Sequence, residues 1–195
     1  NEPTDVEARA ETSAHRLVER LMVAANEAVA GWLHERGLPA LYRVHDAPEP
    51  DRVQSLASFA SNFGFETAFG PRLTPRALAA FEDGFRTARA APAIRTVVQK
   101  TLGPARYTAR PAPHFGLGAP LYLHFTSPIR RYADLIVHRA LISALNLGDE
   151  GLSQFDIDNL EETAGLLCLA ERRAMVAERE TTDRLIAHFL RGQVG

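Results

Sequence analysis

Two adjacent arginines in the stretch from Leu121 to Arg139 are the residues best suited to chemistry in this 195-residue chain. The stretch predicts a short strand, a turn and the start of a helix. Ser127 is a typical N-cap residue, and Pro128 fits the first helical position. Arg130 and Arg131 would then lie in the first turn of that helix.

Cations in a first helical turn are unfavourable, because the helix dipole is positive at that end. A bound anion would remove the cost, and free backbone N–H groups together with two guanidinium groups suit a phosphate. The alternative is a surface helix whose arginines are solvated or pair with Asp134. The residue types alone leave both interpretations open.

Apolar residues recur at helical spacing through the same segment and predict its buried face. This face consists of Ile129, Tyr132, Ala133, Ile136, Ala140 and Ala144.

The rest of the chain predicts a mostly helical α+β protein. Helices are expected over residues 4–36, 51–63, 75–88, 92–103 and 153–191, the last as one helix or as two in line, and strands over 40–45 and around 107–108. The turn-rich sequence PAPHFGLGAP at 111–120 contains two glycines that allow close backbone approach. The first helix should bury Leu17, Leu21, Ala25, Ala28, Trp32 and Leu33. Its Glu19 and Asn26 are either ordinary flank residues or ligand groups, and Glu171 is expected to form ion pairs within its own helix. Because the strands are few and short, we expect them to complete a sheet supplied by upstream sequence.

Composition excludes several classes of protein. The net charge of −2 and the pI near 6.4 give no global basic footprint, so phosphate binding must come from a local patch. Cys168 is the only cysteine, which rules out an internal disulfide and suits the reducing cytoplasm. No apolar run approaches the roughly 20 residues of a membrane span, so no membrane partner is expected.

Catalytic motifs are not evident in the sequence. The seven histidines lack the spacing of a helical zinc site, and neither a nucleophile elbow nor a P-loop occurs. No dense aspartate cluster of the kind that binds two Mg²⁺ ions is present, so we expect no metal ligands in this chain. The residues by themselves predict one anion site without catalytic machinery around it.

The sequence HFGLG at 114–118 and the stretch that follows resemble the RNB catalytic domain of the RNase II and RNase R exoribonucleases. The resemblance is carried by His114–Leu117, His124–Tyr132, Asp134, His138 and Arg139. It extends over HRLVERLMVAANEAVA at 15–30, ALYRVHDAPEPDRV at 40–53 and AERRAMVAERETTD at 170–183.

The resemblance implies a domain organisation. Residues 1–191 would be the C-terminal half of an RNB domain, and 192–195 would begin a linker to an OB-fold RNA-binding domain. The N-terminal half, a partner of this chain, would carry the aspartates that bind Mg²⁺. The chain alone is therefore expected to be inactive, and the complete protein to be monomeric.

The resemblance also implies an activity, the hydrolytic 3′→5′ degradation of single-stranded RNA to nucleoside 5′-monophosphates. Arg130 matches the catalytic arginine, which would stabilise the scissile phosphate. The matching RNA-binding positions are Glu19, Ser127, Arg131, Arg139 and Glu178. Tyr132 is expected in the core, and Arg139 is either a structural ion pair or an RNA contact.

Two other functions compete with a nuclease. One is a non-catalytic RNA-binding or interaction module that keeps the phosphate site and lacks the metal-binding aspartates. The other is a helical protein-interaction domain, which would leave the paired arginines unexplained. An upstream segment with closely spaced aspartates would distinguish the nuclease from both.

Overall fold

The computed structural model describes residues 12–67, 69–70 and 72–191. Within them, the chain forms α1 (Ser13–Glu35), β1 (Tyr42–Val44), α2 (Pro50–Ser61), α3 (Pro75–Phe85), α4 (Ala91–Leu102), β2 (Arg106–Thr108), α5 (Tyr132–Leu145), α6 (Gln154–Asp158) and α7 (Leu160–Leu190). Helices account for 62% of the structure, which confirms the predicted α+β class with a helical majority. The predicted helical residues 4–11 and the linker 192–195 lie outside the described residues.

The two strands form an antiparallel ribbon in which Tyr42 faces Thr108 and Val44 faces Arg106. On the outer edge of β1, the Arg43 N–H donates to the Tyr122 carbonyl at 2.9 Å. On the outer edge of β2, the Tyr107 N–H donates to Cys168 Sγ at 3.1 Å. The strands predicted at 40–45 and 107–108 are confirmed, and they pair with each other. The strand predicted at the start of the 121–139 stretch is wrong, since among the described residues only an isolated bridge between Leu123 and Tyr42 forms there. Pairing with strands outside this chain stays a prediction.

The main core lies between the C-terminal half of α1, the ribbon and α5. Its buried members include Ala30, Leu33, Val44, Leu123 and Val137. A second core lies among α2, α3 and α4, where edge-to-face phenylalanine contacts surround Phe85. α7 packs its first turns against β2 through Leu160 and Ala164.

Large apolar side chains are exposed on the N-terminal half of α1 and on most of α7. Leu17 and Leu21 are 60% and 62% exposed, so their predicted burial is wrong. No described element covers residues 13–21 of α1. Residues 172–188 of α7, a helix about 46 Å long, are all exposed as well. In the described part of the chain, no helix has the length and apolar character needed to cross a membrane.

The helix after the paired arginines starts later than its sequence predicts. α5 begins at Tyr132, and Arg131 has the extended backbone angles of an N-cap residue (φ −129°, ψ 119°). Ser127 therefore does not cap the helix, and Arg130 lies in the preceding turn. Ile129 is fully exposed and Tyr132 is about half exposed, so neither belongs to the buried face. The physical reason is Asp134, which binds the Ser127 N–H and closes a separate turn ahead of the helix.

Glu171 forms a long-range ion pair in place of the predicted pair within its helix. Its two carboxylate oxygens accept from both terminal nitrogens of Arg43, at 2.7 and 2.9 Å. The Arg43 guanidinium also lies 4.5 Å from the centre of the Tyr107 ring. The planar guanidinium of Arg43, paired with Glu171, thus connects the ribbon to α7.

Asn26 is a buried residue of α1 and ties the helix to the segment that leads to the turn. It is 2% exposed; its Nδ2 donates to the Tyr122 hydroxyl and its Oδ1 accepts the Phe125 N–H, both at 2.9 Å. The interpretation of Asn26 as a flank residue is therefore wrong.

Replacing Asn26 by alanine should destabilise the fold. Asn26→Ala leaves the Phe125 N–H without its acceptor in the interior, which predicts a loss of about 2–3 kcal/mol in the free energy of unfolding. Urea denaturation measures it. Asn62→Ala, at an exposed position after α2, is the control and should change stability by less than about 0.5 kcal/mol. Equal effects of the two substitutions would contradict the role given to Asn26.

Candidate functional site

The site is built on a turn from Ser127 to Arg131. The Ser127 carbonyl accepts the N–H groups of Arg130 and Arg131 at 3.3 and 3.1 Å. The Ser127 N–H donates to Asp134 Oδ1 at 2.8 Å. The turn is thus closed by backbone bonds on one side and by a side chain of α5 on the other.

Arg131 pairs with Asp134, a residue with no exposed surface. Arg131 Nη2 donates to Oδ1 at 2.8 Å, and Nε lies 2.8 Å from Oδ2 in an ionic contact too bent for a hydrogen bond. One of the two interpretations drawn from the sequence has the arginines solvated or paired with Asp134. The pairing is observed for Arg131.

Arg130 is exposed at the same turn. Among the described residues, its side chain makes one long contact, from Nη2 to Ser127 Oγ at 3.5 Å. The guanidinium therefore keeps its N–H donors available for an anion. The two arginines, equivalent in the sequence, have different environments in the structure.

A cavity of about 500 Å³ opens between this turn and α1. Ligand-binding cavities commonly have this size. Arg131 and Glu19 bring opposite charges to its wall, and apolar side chains supply much of the rest. The lining residues are Ala14, His15, Val18, Glu19, Met22, Val23, Asn26, Leu117, Tyr122 and Arg131.

Four of the predicted site residues are not among those that line the cavity. Ser127 and Arg130 lie on the turn that ends at Arg131, whereas Arg139 and Glu178 lie on α5 and α7. Arg139 donates to the Gly151 carbonyl and to Asp156 Oδ2, at 2.9 and 2.8 Å. Hydrogen bonds from Ser153, followed by those from Arg139, lower the pKa of Asp156 to about 2. Glu178 lies on the exposed part of α7. The structure thus brings together Glu19, Ser127, Arg130 and Arg131, and gives Arg139 an ion-pair partner.

A row of aromatic rings lies behind the turn and links the ribbon to the HFGLG loop. Successive rings meet edge to face at centroid distances of 5.1–5.8 Å, in the order His45, His114, Tyr122, His124 and Tyr107. His45 Nδ1 accepts the Gly116 N–H at 3.0 Å, and its Nε2 donates to the Leu102 carbonyl at 3.0 Å. A Cβ at Gly116 would lie 2.8 Å from His45 Nδ1, so this close approach requires glycine, as the turn-rich sequence of the loop predicts.

The row holds two histidines in the neutral state. Burial lowers the pKa of His124 to about 4, and the Arg131 guanidinium adds to the effect. Burial, followed by the neighbouring His45, lowers the pKa of His114 to about 4. Burial also raises the pKa of Tyr107 to about 12, so its phenol stays protonated; its oxygen forms a hydrogen bond of 2.8 Å with His124 Nδ1.

Sequence reasoning missed the structural use of Asn26, Tyr122 and His124. For Asn26 a signal existed, because it precedes Ala30 and Leu33 at helical spacing on the buried face of α1. For Tyr122 and His124 no local signal exists, since their partners lie on other elements.

Metal-ligating side chains are not clustered in the structure. Across residues 12–67, 69–70 and 72–191, no group of three or more His, Cys, Asp or Glu side chains could hold a metal ion. The described residues therefore do not supply a donor set for Mg²⁺, and its binding by another part of the protein stays a prediction.

Comparisons with known proteins agree with this architecture. The RNB domain profile matches residues 1–147. The chain belongs to the RNB-domain family. It is 36% identical over 194 residues to Ribonuclease R of Aquifex aeolicus, covering 100% of this chain and 27% of that protein. It thus spans about a quarter of the length of this curated relative.

Two solved structures share the fold of this chain. Mycoplasma genitalium RNase R in complex with ribose-methylated single-stranded RNA superimposes with a TM-score of 0.89 at 31% identity, covering 96% of this chain and 30% of that one. Yeast Ssd1, described as a pseudonuclease, superimposes with a TM-score of 0.69 at 25% identity, covering 81% of this chain and 20% of that one.

Stability of this RNB chain should fall in acid, because His114 and His124 are half-buried and neutral. The unfolded chain takes up protons near the usual histidine pKa of 6.5, whereas the folded chain does so only near pH 4. The unfolded state therefore binds more protons between these values, and the free energy of unfolding should decrease as pH falls from 6.5 to about 4.

Thermal melting across that pH range tests this expectation. His124→Gln keeps an acceptor for the Tyr107 hydroxyl and removes a titrating group, so it should flatten the decrease in melting temperature. His188→Gln, on the exposed part of α7, is the control and should leave the pH profile as it is. A His124→Gln profile that parallels that of the unsubstituted chain would contradict the neutral, half-buried state of His124.

Proposed function

We propose that this chain is the C-terminal half of the catalytic domain of an exoribonuclease that hydrolyses single-stranded RNA in the 3′→5′ direction to nucleoside 5′-monophosphates. The observation that carries the proposal is the Ser127–Arg131 turn. It holds Arg130 exposed and almost unbonded beside a cavity of about 500 Å³, in a chain of the RNB family.

Arg130 is proposed as the catalytic residue. Its guanidinium is exposed, and the turn that carries it is held by Asp134. The guanidinium can therefore bind a phosphate with little reorganisation. Hydrogen bonds from it to the scissile phosphate would strengthen as negative charge develops in the transition state. That strengthening would accelerate cleavage more than it increases RNA affinity.

Ser127, Arg131 and Glu19 are proposed to contact RNA. Arg131 and Glu19 would do so from the walls of the cavity, and Ser127 from the turn that ends at Arg131. Arg131 uses Nε and Nη2 on Asp134, which leaves its other N–H groups for a phosphate. The Glu19 carboxylate can accept hydrogen bonds from hydroxyl or amino groups of a terminal nucleotide, and the Ser127 hydroxyl can donate to a phosphate.

Arg139 and Glu178 are proposed as RNA contacts outside the cavity lining. Arg139 already has carbonyl and carboxylate partners, which favours a structural role. Glu178 lies on the exposed part of α7, away from the residues that line the cavity.

The remaining parts of the active site are proposed to come from the N-terminal half of the same domain. Mg²⁺ would be bound there, since the described residues offer no donor set for it. The exposed apolar faces of α1 and α7 are available for contact with that half. The complete protein is proposed to act as a monomer in the cytoplasm, a reducing compartment that suits the single cysteine of this chain.

A non-catalytic RNA-binding module is the second candidate function. It is favoured by the likeness to yeast Ssd1, whose description as a pseudonuclease indicates that this fold also occurs without nuclease activity. In that case the arginines would bind RNA phosphates and no cleavage would follow.

Substitution of Arg130 separates the two functions. In the full-length protein that contains this chain, Arg130→Ala should slow single-turnover cleavage of single-stranded RNA by about 10²- to 10³-fold, as the loss of a transition-state donor does. RNA affinity, measured without turnover, should change by less than about tenfold, since the surrounding phosphate contacts persist.

Arg89→Ala is the matched control, because Arg89 is an exposed arginine between α3 and α4. It should leave both the rate and the affinity close to those of the unsubstituted protein. A defect of Arg130→Ala confined to RNA affinity would refute the catalytic assignment, and an unsubstituted protein that binds RNA without cleaving it would favour the second function.

A further inference from the structure

The Asp134 carboxylate is attached to both ends of the Ser127–Arg131 turn. It accepts the Ser127 N–H and an Nη2–H of Arg131, each at 2.8 Å. The turn between these attachment points carries Ile129 and Arg130, which are both exposed. Because one rigid group holds both ends, the direction in which Arg130 leaves the turn depends on it.

Holding a turn with a fully buried carboxylate costs desolvation free energy. Taking its charge out of water is unfavourable, and apolar residues of similar volume often replace a buried ion pair without loss of stability. Asp134 lies among Ala133, Ile136 and Val137, which are buried and apolar. Packing alone therefore does not require an acid here, whereas a fixed geometry of Ser127 and Arg131 does.

The pairing with Asp134 also orients Arg131. Two contacts from one planar guanidinium fix its rotation, so the N–H groups that are left over point in a set direction along the cavity wall. An arginine oriented before its ligand arrives loses less conformational freedom on binding.

We propose that Asp134 is a positioning residue for RNA cleavage, which orients Arg131 along the cavity and holds the turn that presents Arg130 to the phosphate. The inference rests on the proposed function of Arg130. Asp134 itself has no exposed surface and acts only through the two arginines and Ser127.

A double-mutant cycle in the full-length protein tests the inference. Asp134→Asn keeps an acceptor for the Ser127 N–H and removes the charge that orients Arg131. We expect it to slow single-turnover cleavage by about 10- to 100-fold, the scale on which a small misplacement of a catalytic group acts. In the Arg130→Ala background, with RNA saturating, the same substitution should change the rate by less than about threefold, because the catalytic residue it positions is gone and Arg131 contributes to RNA binding.

Two further variants keep the test decisive. Asp134→Glu retains the negative charge beside Arg131 and displaces the carboxylate by one methylene, so it replaces Asp134→Asn if the amide prevents folding. Asp149→Asn, at an exposed position after α5, is the matched control and should leave the rate unchanged.

The outcomes distinguish this inference from the proposed function. Folded Asp134 variants that cleave at the unsubstituted rate would overturn the inference and leave the function of Arg130 intact. Equal slowing in both backgrounds would also overturn it, because it indicates a general loss of stability. An Arg130→Ala protein with unchanged cleavage would overturn the proposed function itself, and the inference with it.

Discussion

The buried ion pair between Arg131 and Asp134 is the contact on which the geometry of the candidate site depends. It joins the first turn of α5 to the residue before that helix, and through the Ser127 N–H it closes the turn that carries Arg130. Removing the partners of a carboxylate without exposed surface is unfavourable in free energy, because it leaves a buried charge unpaired. The turn is therefore rigid on its inner side, while Arg130 on its outer side is exposed and has one long contact.

The scaffold around this pair is built from side chains that reach between elements distant in sequence. Asn26 joins α1 to the segment before the turn, and the Arg43–Glu171 pair joins the ribbon to α7. Between them, the Tyr107–His124 hydrogen bond lies close enough to Arg131 for its charge to depress the pKa of the imidazole. Neutral, half-buried histidines thus lie behind the site.

Much of the fold follows from the sequence, because helical periodicity and turn residues are local signals. The positions of α2, α3 and α4, the ribbon strands and the close approach at Gly116 all agree with their prediction to within a few residues. The start of α5 does not, because Ser127 and Pro128 suit an N-cap locally while Asp134 closes a competing turn. The different environments of Arg130 and Arg131, and the burial of Asn26, depend on long-range partners that local patterns do not specify.

A structure of the full-length protein with a non-cleavable single-stranded RNA tests the central claim most directly. The account predicts that the Arg130 guanidinium lies within hydrogen-bonding distance of oxygens on the phosphate to be cleaved, with Arg131 still paired to Asp134. An RNA whose scissile phosphate is bound elsewhere, with Arg130 directed into solvent, would contradict the assignment of this turn as the active-site phosphate contact.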